Sequence, residues 1–294
     1  FAFGLCALFE FFGALLVGSA ITATMTGVVT GTGGAPVQAE VVMILSSALL
    51  AAFGWGIVSW WRAWPTSNSQ ALIAAIAGAD WAVRSPHHFL EPGRTVVLIV
   101  LVASPVLGFM ISTLATMFLR HVGEWMTPRA RPPAQALHVL GCLSVSVAHG
   151  SNDGQMLAAL LALSLAGAGG AENGFPPAAL RLIAAGALAA GVLFGGRRIL
   201  RKLGMKFYRI RDLQGLGAQM SAAATILTCG FFGFPASTTQ VVSGSIVGAG
   251  VAKNPRSVRW LIVREIVASW IITLPVTWFL GALLAATFLE WGKP

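Results

Sequence analysis

The sequence predicts an all-α integral membrane protein made of two inverted repeats, each with a re-entrant helical hairpin and a discontinuous helix. The first observation behind this is composition: the 294 residues are 56% hydrophobic and only 10% charged, whereas soluble domains carry about 25% charged residues. The second is the length of the apolar runs, which lack the alternation of polar and apolar residues that a transmembrane β-barrel shows. The third is an internal repeat at an offset of 170 residues.

The repeat is clearest at two short polar segments. Residues 65–70, Pro-Thr-Ser-Asn-Ser-Gln, align with residues 235–240, Pro-Ala-Ser-Thr-Thr-Gln. The same offset relates Ile76 to Ile246, Gly78 to Gly248 and Ala79 to Ala249. Two related halves that each contain an interrupted hydrophobic segment are typical of secondary transporters, whose binding site lies between the repeats near the bilayer midplane. We therefore assign residues 1–120 to the first repeat, 121–135 to a central loop and 136–294 to the second repeat.

The apolar runs and the breaks between them predict the elements of both halves in order. In the first half we expect a helix over 1–29 that carries Glu10, a loop over 30–36, a span over 41–61, a short segment from Pro65 to Gly78, a polar loop over 80–94 and a span over 95–119. In the second half we expect a helix over 136–166 interrupted at 147–155, a span over 177–196, a basic loop over 197–211, an apolar run over 216–234, a short segment from Pro235 to Gly250 and a span over 257–289.

The charge distribution predicts a membrane orientation and does not indicate a nucleic-acid partner. The formal net charge is +9, but the basic residues cluster in short loops between apolar runs, as orientation signals do. Residues 197–211 hold seven Lys or Arg residues and no acid, so we expect this loop in the cytoplasm and the protein in the plasma membrane. If the basic flank after Gly250 is also cytoplasmic, residues 216–250 form a hairpin that enters and returns on one side, with Pro235 at its tip.

The interruption at residues 147–155 contains the first candidate site. Asp153 and Asn152 offer oxygen ligands that suit Na⁺, or Asp153 takes up a proton; alternatively Asp153 forms a structural pair. For His149 three roles are open: it relays protons, it contacts a bound anion, or it only forms structural hydrogen bonds. Glu10 lies within its own span and supports the site or pairs across helices. A cation at Asp153 would offset its repulsion of a bound anion, which is a physical reason for coupled transport.

The two repeated polar segments contain the second candidate site. A helix that starts just after a proline leaves free N–H groups in its first turn, and its dipole adds partial positive charge there. Two such N-termini that face each other would hold a small oxyanion without Lys or Arg; alternatively the hydroxyls are ordinary helix caps. The candidate residues are Ser67, Asn68, Ser69, Ser237, Thr238 and Thr239.

Arg62 and the cysteines have less specific sequence environments. Arg62 lies at the tip of the first hairpin, where it contacts the anion, pairs with Glu10, or extends toward the membrane surface. Cys6, Cys142 and Cys229 each lie in an apolar segment without metal-site spacing, so we expect all three to be packing residues.

Four motifs in order give the chain a resemblance to the inorganic phosphate transporter (PiT) family of sodium- or proton-coupled symporters. Residues 149–155, His-Gly-Ser-Asn-Asp-Gly-Gln, resemble the family's His-Gly-Ala-Asn-Asp-Ala-Gln, and residues 235–240 resemble its Pro-Val-Ser-Thr-Thr-His. Residues 8–14 resemble its Phe-Glu-Phe-x-Gly-Ala segment, and residues 195–199 with 214–215 resemble the link between its later motifs. The resemblance implies that Gln70 and Gln240 belong to the substrate site, where the family has His; glutamine keeps the hydrogen bonding but does not titrate. It also implies a first Asn-Asp motif helix ahead of Phe1, so we expect the first repeat to be incomplete.

Together these observations predict a transporter and not an enzyme. We expect symport of inorganic phosphate with Na⁺ or H⁺, with no cofactor, and the resemblance favours a homodimer. A sulfate permease of the same family is the first alternative. A passive anion channel would need a continuous pore, and a membrane-embedded enzyme such as a lipid phosphotransferase would need clustered acids and histidines, whereas the acids here are scattered.

Overall fold

The computed structural model describes residues 2–16, 18–31, 38–84, 92–125, 131–167, 176–206 and 212–291. Regular structure in these ranges is helical. The helices are α1 (Ala2–Leu16), α2 (Ala20–Thr30), α3 (Gln38–Arg62), α4 (Asn68–Val83), α5 (Pro92–Gly123), α6 (Arg131–Gly167), α7 (Pro177–Lys206), α8 (Asp212–Phe231), α9 (Thr238–Lys253) and α10 (Trp260–Trp291), with a 3-10 turn at Pro255–Ser257.

Four of these helical segments are long and apolar enough to cross a bilayer: α3, Gly93–Gly123 of α5, Pro177–Gly195 of α7, and α10. The bent pair of α1 and α2 makes a fifth if it counts as one span. The outward faces carry large apolar side chains, such as Phe53 and Phe194, as surfaces in contact with lipid tails do. The prediction of an all-α integral membrane protein is confirmed.

Both hairpins reverse direction in the same way, at the predicted offset of 170 residues. In the first, Ala63 N donates to Trp60 O and Trp64 N donates to Ser59 O; in the second, Gly233 N donates to Gly230 O and Phe234 N donates to Cys229 O. Each turn has one residue in the left-handed backbone conformation, at equivalent positions of the two hairpins: Ala63 with φ 50° and Gly233 with φ 76°. Each reversal leads into a helix of 16 residues, α4 or α9. The local structure therefore repeats, while the inverted relation of the two halves stays a prediction.

The short helices lie inside the bundle. Residues 69–80 of α4 are all buried, and α4 packs against α3 and α10. In the same way α9 packs against α5 and α8. The N-termini of α4 and α9 are therefore held in the interior by longer helices.

The helix break lies in a different place from the one predicted. α6 continues without interruption through residues 147–155, so the break expected there is wrong. The polar side chains of α6 find partners on neighbouring elements, so the backbone does not need to unwind. The break lies instead between α1 and α2, which are bent by 72°, within the segment expected as one helix over 1–29. Gly18 has φ 59° at this bend, a conformation that glycine adopts without steric cost.

The polar loop expected over residues 80–94 is also wrong at both ends, because Asp80 belongs to α4 and Arg94 to α5; residues 85–91 lie outside the described ranges. The Asp80 carboxylate is buried and forms ion pairs with Arg84, at 3.0 Å, and with Arg94. Arg84 also pairs with Glu40 at 3.0 Å. Two arginines thus neutralise an acid that would otherwise be costly to bury.

The same two arginines hold the end of α2. Arg94 Nε donates to Val28 O at 2.9 Å, and Arg84 donates to Val29 O at 2.9 Å. Carbonyl groups in the last turn of a helix have no intrahelical partner, and a cation there interacts favourably with the helix dipole. The Asp80 network therefore fixes the C-terminal end of α2.

The basic and central loops are shorter than predicted. Residues 197–206 of the expected basic loop continue α7, since Arg, Lys, Leu and Met are strong helix formers; residues 207–211 lie outside the described ranges. Of the expected central loop 121–135, residues up to Gly123 belong to α5 and residues from Arg131 belong to α6, while residues 126–130 are not described. Most of the predicted 30–36 loop is likewise outside the described ranges.

Candidate functional site

The two repeated polar segments meet at their helix caps. Ser67 caps α4 by accepting a hydrogen bond from Gln70 N at 3.1 Å, and Ser237 caps α9 by accepting one from Gln240 N at 3.4 Å. The Ser237 hydroxyl also donates to the Ser67 hydroxyl at 2.7 Å. The N-termini of α4 and α9 therefore meet at residues that are 170 apart in sequence.

A second contact between equivalent residues lies one turn further along these helices. Gln240 Nε2 donates to Gln70 Oε1 at 2.8 Å, and Gln70 Nε2 donates to Trp270 O at 3.1 Å. Both glutamines are buried. Equivalent residues of the two repeated segments therefore form a buried polar junction.

The remaining residues of the predicted anion site surround this junction. Ser69 and Thr238 are buried, Thr239 is half-buried and Asn68 is exposed. They occupy the first turns of their helices, whose amide groups lack intrahelical acceptors. Two positive dipole ends that face each other repel, so this arrangement is costly without a compensating anion.

Asn152 of α6 joins the second candidate site to this junction. Its side-chain amide donates to Ala236 O at 2.9 Å, and its Oδ1 accepts from Ala236 N at 2.9 Å. The amide also donates to Asp153 Oδ1 at 2.7 Å. Asn152 is 1% exposed. It therefore fixes the backbone of the hairpin tip just before Ser237 and orients the Asp153 carboxylate.

His149 lies between two carboxylates. Its Nδ1 is 2.8 Å from Glu10 Oε1, and its Nε2 is 3.1 Å from Asp153 Oδ2. A neutral imidazole donates through only one nitrogen, so satisfying both contacts requires one further proton, on the ring or on a carboxyl group. Among the described residues, no group of three or more His, Cys, Asp or Glu side chains is arranged to hold a metal ion. The triad therefore places one imidazole between a carboxylate of α1 and a carboxylate of α6.

Two glycines of the α6 motif serve helix packing. A Cβ at Gly150 would lie 2.0 Å from Glu10 O, and one at Gly154 would lie 2.5 Å from the Ala14 side chain. A Gly-x-x-x-Gly spacing on one helix face lets two membrane helices approach closely. These glycines bring α1 against α6, which places Glu10 within reach of His149.

Gln155 is the last residue of the 149–155 motif, and the sequence alone predicts no role for it. Its Oε1 accepts from Ile21 N at 3.0 Å, and its backbone carbonyl accepts from the Thr22 hydroxyl at 3.1 Å. Gln155 therefore holds the N-terminus of α2 against α6, beside Asp153 in sequence. The signal that could have located the start of α2 is Gly18-Ser19, a flexible residue followed by a preferred helix cap.

Arg62 stacks against aromatic rings at the first hairpin. Its guanidinium lies 5.5 Å from the ring centroids of both Trp61 and Trp64, and the residue is exposed. Glu10, one of its expected partners, pairs instead with His149. A cation over indole rings is a favourable contact, while contact with the anion and extension toward the membrane surface both stay predictions.

Comparisons with known proteins agree with the motifs. The family model described as "Phosphate transporter family" matches residues 1–281. A "Probable low-affinity inorganic phosphate transporter" of Rhizobium meliloti (strain 1021) is 31% identical over 247 residues, which are 82% of this chain and 72% of that protein. A protein of the same description from Mycobacterium tuberculosis (strain ATCC 25618 / H37Rv) is 35% identical over 81% of this chain and 58% of its own length.

The fold also matches a solved structure. The structure described as "The sodium-dependent phosphate transporter" superposes with a TM-score of 0.83 at 20% sequence identity, over 98% of this chain and 89% of that one. At this identity the match supports the all-helical architecture and not the details of the site.

Proposed function

The chain belongs to the phosphate transporter family, and from this premise we propose that it moves inorganic phosphate across a membrane as a symporter with Na⁺ or H⁺. The relatives named as probable inorganic phosphate transporters support the substrate. The chemistry of the two connected sites supports the mechanism.

The observation that carries the proposal is the meeting of two helix N-termini in the interior of the bundle. Free first-turn amides and two converging dipoles form an anion site that needs no Lys or Arg. A phosphate at this junction would accept from the Ser67 and Ser237 hydroxyls, the Thr238 and Thr239 groups and the first turn of α4. This binding would remove the repulsion between the two dipole ends.

Binding of the anion must separate the two hairpin tips. The Ser67 and Ser237 hydroxyl oxygens are only 2.7 Å apart, which leaves no space for a tetrahedral oxyanion between them. Phosphate would therefore replace the Ser67–Ser237 hydrogen bond with two bonds to its own oxygens. A ligand that binds only the separated arrangement shifts the population toward it, so substrate binding and movement of the repeats are linked.

The coupling cation acts through a continuous chain of contacts. The Asp153 carboxylate bonds to the Asn152 amide, which bonds to the backbone of Ala236, and Ala236 precedes Ser237. A proton or Na⁺ at Asp153 would reduce the negative charge near the bound phosphate. The Glu10–His149–Asp153 triad supports a proton, and the Asn152 and Asp153 oxygens support Na⁺.

Uptake of radiolabelled phosphate into proteoliposomes tests this function, with Na⁺ and pH gradients imposed separately. We expect one of the two gradients to drive uptake; uptake that neither gradient drives would refute symport. Stronger competition by sulfate than by excess unlabelled phosphate would assign the chain to sulfate instead. Asp153→Asn should abolish gradient-driven uptake, and normal uptake in that variant would mean that Asp153 is structural.

A matched pair of serine variants tests the anion site itself. Ser237→Ala removes one charge-assisted hydrogen bond to phosphate, worth about 1.5–3 kcal/mol, so KM should rise about ten-fold or more. Ser144→Ala is the control, because Ser144 is exposed and donates only within its own helix, to Leu140 O. Equal KM values for these two variants would place the anion elsewhere.

A further inference from the structure

Two cysteines that are far apart in sequence lie side by side. Cys6 of α1 and Cys142 of α6 have their sulfur atoms 3.9 Å apart, and both are free thiols of intermediate exposure. The sequence predicts that all three cysteines are packing residues, but it does not predict this contact between two of them, which are 136 residues apart. The third cysteine, Cys229, lies on α8.

The thiol pair belongs to the tight contact between α1 and α6. Along this contact Cys6 meets Cys142, Glu10 meets Gly150, and Ala14 meets Gly154. Residue numbers rise together on both helices, so the helices run in the same direction and Cys6 lies one turn before Glu10. The contact therefore carries a thiol pair at one end and the Glu10–His149 pair next to it.

We propose that Cys6 and Cys142 form an oxidisable thiol pair whose disulfide tethers the two repeats and stops transport. A disulfide needs the sulfurs to move from 3.9 Å to about 2.0 Å. Rotation of the two side chains together with a small shift of α1 can supply this movement.

The oxidant would be a peroxide, which is small and neutral enough to reach half-buried thiols. One thiol reduces the peroxide to water and becomes a sulfenic acid. The second thiol then attacks the sulfenic sulfur, the S–S bond forms, and a second water leaves with the proton of the attacking thiol. Two thiols lose two electrons in total and one hydrogen peroxide gains them. A thiol reductant reverses the change by thiol–disulfide exchange.

The expected consequence follows from where the two helices belong. α1 lies in the first half of the chain and α6 in the second, and alternating access moves one half against the other. A covalent bond between them opposes that movement and also fixes Glu10 relative to His149. This consequence rests on the proposed transport function, whereas formation of the disulfide does not.

The experiment uses the full chain in proteoliposomes treated with hydrogen peroxide. Remaining thiols are alkylated, and peptides are mapped by mass spectrometry without reduction. We expect a peptide linked through Cys6 and Cys142, with Cys229 alkylated. Phosphate uptake should fall about ten-fold or more, because the tether blocks movement between repeats, and dithiothreitol should restore it.

Three variants separate the outcomes. Cys6→Ser and Cys142→Ser should keep their uptake after peroxide treatment, and Cys229→Ser should respond as the unchanged chain does. Absence of the linked peptide would overturn the thiol pair, and equal loss of uptake in Cys6→Ser would overturn its role. A linked peptide with unchanged uptake would overturn the tether. If the reduced chain takes up no phosphate, the proposed function fails, while peptide mapping still decides whether the disulfide forms.

Discussion

Replacing Gly150 by alanine should weaken the contact that holds α1 against α6. The added Cβ would lie 2.0 Å from Glu10 O and 2.9 Å from Glu10 Cα. Both are backbone atoms, which cannot rotate out of the way as the end of a side chain can. The helices must therefore separate, or α1 must slide along α6.

The size of the effect follows from these distances. Ordinary contact needs about 3.5 Å, so α1 would shift by about 1.5 Å. This shift would stretch the Glu10–His149 contact, now 2.8 Å, beyond hydrogen-bond distance. Overpacking costs about 1–3 kcal/mol and the loss of a charged hydrogen bond about 1.5–3 kcal/mol, while alanine regains about 1 kcal/mol of helix propensity. We expect a net destabilisation of about 1.5–5 kcal/mol.

Thermal unfolding in detergent, compared with Gly191→Ala, measures this effect. Gly191 lies on an exposed face of α7, and a Cβ there meets no atom within 4 Å. Gly191→Ala should therefore be neutral or slightly stabilising. If Gly150→Ala unfolds at the same temperature as Gly191→Ala, α1 and α6 lie farther apart than the distances between Gly150 and Glu10 indicate. Gradient-driven uptake should fall in Gly150→Ala as well, since Glu10 would leave His149.

Three further changes test other parts of the structure by thermal unfolding. Ala63→Gly should stabilise the chain by about 0.5–1 kcal/mol, because the left-handed conformation costs alanine more than glycine. The reverse change at the equivalent position, Gly233→Ala, should destabilise it. Changes in stability of the same sign in both variants would contradict the repeated turn. Asp80→Asn removes the buried carboxylate that pairs with both Arg84 and Arg94 and should cost about 3–5 kcal/mol; a cost under about 1 kcal/mol would show that the network contributes little. Asn152→Leu leaves the N–H and C=O of Ala236 unsatisfied and should cost about 2–5 kcal/mol, and unchanged phosphate uptake in that variant would remove Asn152 from the coupling path.

The predictions that depended on local chemistry agree with the structure. A proline followed by a serine specifies where a chain reverses and where a helix begins, so Ser67 and Ser237 could be identified as caps before any fold was known. The offset between the two segments also predicted that their environments would match. The candidate residues of the anion site were chosen in this way, and their role in binding stays a prediction.

The predictions that needed knowledge of neighbouring elements were less successful. The motif at residues 147–155 resembled a helix break, because its glycines and polar residues are unfavourable in an isolated membrane helix. In the folded chain Gly150 makes room for α1, and Asn152 bonds to Ala236, so the helix continues. The actual break, at Gly18, is part of a run whose composition suggested an uninterrupted span.

Sequence alone determined the class of the protein, the two hairpins and the caps of their short helices, because composition and hydrogen bonds between residues a few positions apart are properties of the local chain. Tertiary structure alone decided that Ser67 meets Ser237, that His149 lies between Glu10 and Asp153, and that Cys6 lies beside Cys142. These contacts join residues 136 to 170 positions apart, except for the helical pair of His149 and Asp153. They depend on how closely whole helices approach, and that distance is set by packing across the bundle.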